Sequence, residues 1–131
     1  MPRIHAAIID ARLASGLLEG RKRVETRFAR QRRLPYGRIS AGDEIYFKIS
    51  GQDIIGHTSA VRVQHFDDLT PAAIDALRQK YNHAILAPRH YWRARRDCRF
   101  GVLIWLGPVN HRAGRATIPR QYGAGWVLLS P

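Results

Sequence analysis

Lys22, Glu25 and Arg27 stand in one short run, Gly20-Arg21-Lys22-Arg23-Val24-Glu25-Thr26-Arg27. A carboxylate beside an ammonium group can do general acid–base work. Glu25 would take a proton while Lys22 or Arg27 stabilises a developing oxyanion or holds a phosphate. The plainer reading is a structural ion pair, in which Arg27 or Lys22 holds Glu25 and fastens a helix end to a strand. Both readings stay open on these residues alone. Other site chemistry is sparse. His5, His57, His65, His83, His90 and His111 do not recur at ligand spacing, so no metal is expected, and no cofactor either. Cys98 is the single cysteine, which rules out an intramolecular disulfide. It lies among Arg95, Arg96 and Arg99, cations that would lower the pKa of an exposed thiol.

These groups need elements to position them. Ile9, Leu13, Leu17 and Leu18 recur at helical spacing, and with Asp10 as N-cap they predict a helix over residues 10–19. Gly20 follows where a helix end needs a residue tolerant of left-handed backbone. Val24 to Phe28 reads as a strand, which puts Glu25 and Arg27 on one face and Lys22 in the turn before it. Arg3 to Ile9 reads as an earlier strand. Glu44 to Ile49 and Ile54 to Phe66 flank the turn Ser50-Gly51-Gln52-Asp53, an antiparallel pair in which Gly56 marks a bulge or a corner. Thr70 as N-cap and Pro71 at the first helical position predict a helix over 70–82, with Ile74, Leu77 and Tyr81 turned inward. Pro88 opens a short helix over 88–96. Phe100 to Leu106 is a nearly continuous apolar run and predicts a central, buried strand. Asn110 to Tyr122 is basic and poorly periodic and reads as a loop, before a last strand over Gly125 to Leu129. No repeat or linker divides the chain, so residues 1–131 are expected to form a single domain, with a C-terminal extension from about 108.

The charge is the strongest compositional signal. Lys and Arg number 22 against 10 Asp and Glu, a formal net charge of +12. Only Lys22, Lys48 and Lys80 are lysines, and guanidinium groups suit bidentate phosphate contacts and stacking on bases. The cations also cluster. Between Arg21 and Arg38 only Glu25 is acidic, and the stretch after the strand (Arg30, Arg32, Arg33, Tyr36, Arg38) reads as a basic, mobile flap. A second cluster, Tyr91, Trp92, Arg93, Arg95 and Arg96, interleaves aromatics with cations. Single-stranded nucleic acid uses that combination, with phosphates attracted to the cations and bases stacked on the rings. The expected partner is therefore RNA or another nucleic acid. No apolar run approaches the ~20 residues that span a membrane. The N-terminus lacks a signal peptide's long apolar region. A cytoplasmic protein without membrane contact is expected.

The run Gly20-x-Lys22-x-x-Glu25-x-Arg27 follows a first strand and helix and precedes a strand led by Gly42-Asp43. In this it resembles the ASCH domain, a family related to PUA-like RNA-binding folds, over roughly residues 3–107. The resemblance implies an α+β fold: a small PUA-like mixed β-barrel of five or six mainly antiparallel strands, flanked by helices. It also implies a cleft lined by the motif residues Gly20, Lys22, Glu25 and Arg27 that suits RNA or a modified nucleoside. Arg30, Arg32, Arg33, Lys48, Arg93, Arg95 and Arg96 would contact phosphates, and Tyr36, Tyr91 or Trp92 would stack on bases. Some members are amidohydrolases acting on acetylcytidine and others are reported as RNA-cleaving. The alternative implied is thus a hydrolase, a ribonuclease or a modified-nucleoside amidohydrolase, with Lys22 and Glu25 as the working pair. The amidohydrolase subgroup has Thr where Glu25 stands, and Tyr81-Asn82-His83 occupies the region of its helical Glu. A third reading of the positive face is an interaction module for an acidic protein.

Overall fold

The computed structural model describes residues 1–114 and 125–130. Seven strands and three helices follow in the order β1 (Ile4–Ile9), α1 (Ala14–Leu18), β2 (Val24–Ala29), β3 (Glu44–Ile49), β4 (Ile54–Phe66), α2 (Pro71–Ile85), α3 (Arg89–Ala94), β5 (Phe100–Leu106), β6 (Asn110–Gly114) and β7 (Trp126–Leu128). They build one curled sheet, ordered β2-β5-β4-β3-β1-β7, with β6 paired to β4. Among the described strands only β1 and β3 run parallel; the other pairs are antiparallel. The result is a mixed, mostly antiparallel half-barrel of α+β class. β2 stands at one edge of the sheet and β7 at the other.

Alternation along β5 explains why two cores form. Val102 and Ile104 join Ile9, Leu17, Ile45, Phe47 and Trp126 in one cluster. Leu103, on the opposite face, joins Val24, Ile74, Ile85 and Trp92 in another, under α2 and α3. The central apolar strand predicted at 100–106 therefore sits between two other strands and is buried on both faces. Gly101 is the exception along it. Its backbone carries the Phe28 ring so closely that a Cβ there would lie 2.4 Å from Phe28 Cδ1.

Several elements differ from the sequence expectation. The first helix is broken: Asp10 caps a 3-10 turn over Ala11–Leu13, and a single α-turn follows from Ala14 to Leu18. Gly16 within it gives its carbonyl to Lys22 N at 2.9 Å, so the helix end is folded back onto the motif. Gly20 closes the element at φ +78°, as the sequence requires. α2 begins at Pro71 with Thr70 Oγ1 accepting from Ala73 N, but it runs three residues past 82 to Ile85. Burial of Ala84 and Ile85 outweighs the weak helix propensity of Asn82 and His83. The segment expected to be a loop from Asn110 starts as β6, held by ladder pairing to β4 that local pattern cannot reveal; the remainder, from 115 to Tyr122, lies outside the described residues. The register shift between Ile54 and Gly56 agrees with the irregularity expected at Gly56.

The loop over residues 30–43 is not a free flap. Tyr36 donates its hydroxyl to Asp67 and packs edge-on against Phe100 at 5.4 Å. Gly37 N bonds His65 Nδ1, and His65 Nε2 donates to Ile39 O. Ile39 is buried in the first core. The arginines of this loop are thus held on a fixed support.

Candidate functional site

Glu25 and Arg27 share one face of β2, as strand alternation demands, and they lie on the floor of a cleft of about 670 Å³. Ladder bonds explain why the cleft opens here. Arg23 O and Ala29 O both accept from the β5 side, from Leu106 N and Arg99 N. Backbone groups at the intervening even positions point away from β5, toward the cleft. Thr26 illustrates this. Its N–H goes to Glu25 Oε1 at 3.1 Å, and its carbonyl and hydroxyl face Tyr91 Oη, at 3.4 and 2.5 Å. Tyr91, at the start of α3, therefore ties the second wall of the cleft to β2.

Arg27 spans the gap between the two edges of the sheet. Its Nη1 donates to Gly125 O at 2.8 Å, its Nη2 to Ile8 O at 3.2 Å, and its guanidinium lies 5.1 Å from the centre of the Trp126 ring. Backbone pairing does not join β2 to β1 or β7, so this side chain does. Arg27 Nε stands 3.6 Å from Glu25 Oε1, near enough for charge attraction and too far for a hydrogen bond. Among the described residues, two polar atoms on this floor are buried with no hydrogen-bond partner: Glu25 Oε2 and Arg27 Nε. Trp126 is oriented from behind. Its indole N–H donates to His5 Nδ1 at 3.0 Å, which fixes the imidazole proton on Nε2, and that group donates to Asp43 Oδ2 at 2.9 Å. Burial works against the Asp43 carboxylate, but bonds from His5, Arg3 N and Ser40 N hold its pKa below the ordinary value.

The rim is basic and aromatic. Arg12, Arg33, Arg95, His90, Tyr36 and Phe100 line it. Arg95 lies with its guanidinium 3.7 Å from the centre of the Tyr91 ring. Burial raises the Tyr91 pKa, keeping its phenol neutral and able to donate. Arg12 forks onto Asp10, whose exposed carboxyl is lowered to about 2 by those bonds.

Other residues singled out from sequence fall elsewhere. Gly20 shapes the turn and Lys22 lies beneath the site: it is 5% exposed and donates Nζ to Ile85 O at 2.7 Å. Burial lowers its pKa, and nearby Glu25 opposes that shift. Lys48 projects from β3, outside the cleft. Arg30 pairs with Asp97 at 3.4 Å and Arg32 stacks on Phe100 at 4.8 Å. Trp92 cannot serve as a stacking surface. It is 1% exposed, and its Nε1 donates to Asn82 Oδ1, because its ring completes the core under α2. Arg93 and Arg96 lie on the other side of α3 from the cleft. Cys98 is buried, and burial raises its pKa despite Arg95 and Arg30. Arg12, Thr26 and Trp126 escaped sequence reading. Thr26 has the strand's inward phase, and Trp126 reaches the site only through pairing of β7 with β1, a contact across nearly the whole chain.

No protein-family model matches the sequence, and no curated protein matches it. Solved structures do. The crystal structure of ASCH from Zymomonas mobilis superposes with a TM-score of 0.73 at 15% identity, covering 96% of this chain and 87% of that one. A tyrosine-to-phenylalanine mutant of the same protein gives the same TM-score and identity, covering 96% of this chain and 89% of its own. A serine-to-alanine mutant gives a TM-score of 0.72 over 98% and 91%. The chain has the ASCH fold.

Proposed function

We propose that the chain binds nucleic acid, RNA by preference, in the cleft along β2. The observation that carries this reading is the pairing of a basic rim with an unpartnered floor. Arg33 and Arg95 line the same cleft as Glu25, whose Oε2 is buried and has no hydrogen-bond partner among the described residues. A buried carboxylate oxygen without a partner costs about 1–3 kcal/mol or more, so it is a place prepared for a donor that arrives with a ligand. An ionised carboxylate only accepts, and a nucleoside offers it ribose hydroxyls and base N–H groups. The rim arginines would neutralise the flanking phosphates, while Tyr36 and Phe100 add aromatic surface to the lining. The ASCH fold, associated with RNA binding, supports the same class of ligand.

Lys22 takes a supporting role in this reading, since its amine is engaged by α2 below the floor. The test is a gel assay with end-labelled single-stranded and structured RNAs, using wild type and Glu25→Ala. Shifted, intact RNA with wild type and an at least several-fold weaker shift with Glu25→Ala is expected. An unshifted RNA would overturn the reading. RNA fragments produced by wild type and not by Glu25→Ala would replace it with a ribonuclease.

A further inference from the structure

Helix α3 carries two chemically different faces. His90, Tyr91 and Arg95 line the cleft. Arg89, Trp92 and Arg93 of the helix, with Arg96 just past its C-terminal end, line a groove against α2, together with Asp75 and Arg78. The two sets share no residue. In the groove, four guanidinium groups meet one carboxylate, Asp75, which Arg96 contacts at 3.2 Å. Trp92 forms its buried floor and fixes the helix through Asn82. Asn82 also bonds both backbone groups of Ala87, so one side chain ties α2 to the connection and to α3.

We infer that this groove is a second nucleic-acid contact, a phosphate track that holds the backbone of a strand whose neighbouring nucleotide occupies the cleft. The inference rests on the cleft reading above and adds a requirement for strand length. α3 is a shared wall one helix thick. A strand leaving the cleft past Tyr91 and Arg95 crosses the top of α3 and meets Arg89, Arg93 and Arg96 directly. The groove's charged groups are four guanidiniums against one carboxylate, Asp75, so it suits phosphates more than base edges. An acidic polypeptide would meet the same charges without the continuity into the cleft.

The experiment measures anisotropy of labelled oligouridylate of three and of fifteen nucleotides. It uses wild type, the variant R89Q/R93Q/R96Q, and a charge-matched control, R62Q/K80Q/R112Q, on other surfaces. Circular dichroism confirms that each variant is folded; glutamine keeps helix propensity at the exposed positions. The expected result is that wild type binds the longer strand more tightly, that the α3 variant loses of order tenfold to a hundredfold on it, and that this variant binds the trimer like wild type. The control should lose much less on the longer strand. Equal behaviour of the α3 variant and the control on both lengths would overturn the track and leave cleft binding standing. Failure of wild type to bind either RNA would overturn both. Binding of polyglutamate in preference to the longer RNA would overturn the track in favour of an acidic protein.

Discussion

The Lys22 ammonium is buried and spends its hydrogen bond on a backbone carbonyl of α2, which fixes how it responds to pH. Burial lowers its pKa from 10.5. Below that depressed value the group is charged in both folded and unfolded chains, and the full cost of burying it is present. As pH rises from the depressed value toward 10.5, the unfolded chain holds more protons than the folded one, so stability rises with pH. Lys22→Met removes this titration. Urea denaturation of both proteins at stepped alkaline pH should show wild type gaining on the variant through that window. A difference between them that stays flat with pH would mean the amine is not buried. Glu25 and Arg27 are readable from sequence as a same-face pair, because strand alternation alone brings them together. Arg27's role as the link between sheet edges is not readable. It depends on Ile8 and Gly125, which lie far from it in sequence and meet it only after the sheet has curled.

Among the elements, legibility follows locality. The start of α2 was readable because Thr70 and Pro71 act within one turn. Its end was not, because Ile85 earns its helical place by packing in the second core. α3 was readable as a helix, but which of its sides met the cleft was not: phase within a six-residue helix is set by where Trp92 anchors. β2 is held flat against β5 at Gly101, where Phe28 rests on the bare backbone. Gly101→Ala drives a methyl group into the Phe28 ring edge, 2.4 Å from Cδ1 and 2.7 Å from Cε1. The ring must leave its position, so the substitution should destabilise the fold by roughly 1–3 kcal/mol. Phe28 also lines the cleft, so RNA affinity should fall even where the variant remains folded. Chemical denaturation and a binding titration check the two effects separately. A neutral result in both would mean that Phe28 has room the packing does not display.

At the scale of the molecule, the +12 net charge sets attraction to any polyanion, while the fold decides which cations act together. Several arginines already have carboxylate partners: Arg12, Arg21, Arg30, Arg96 and Arg99 each contact an acidic side chain. Such exposed pairs are weak, and a phosphate can compete for their guanidiniums. Arg33 has no carboxylate contact among the described residues and stands on the cleft rim, supported by a loop that Tyr36 and Ile39 pin in place. It is therefore the sharpest probe of whether charge acts locally or as a diffuse cloud. Each phosphate contact to a single strand contributes about 0.7 to the slope of log affinity against log salt. If Arg33 makes one such contact, Arg33→Gln reduces the magnitude of that slope by about 0.7 and weakens binding similarly for every RNA sequence. If the protein holds RNA only through its overall field, the slope barely changes, and Arg33→Gln matches any other single neutralisation. Titrations from roughly 50 to 200 mM salt separate the two, because the local contact is counted in the slope and the diffuse field is screened over about a Debye length.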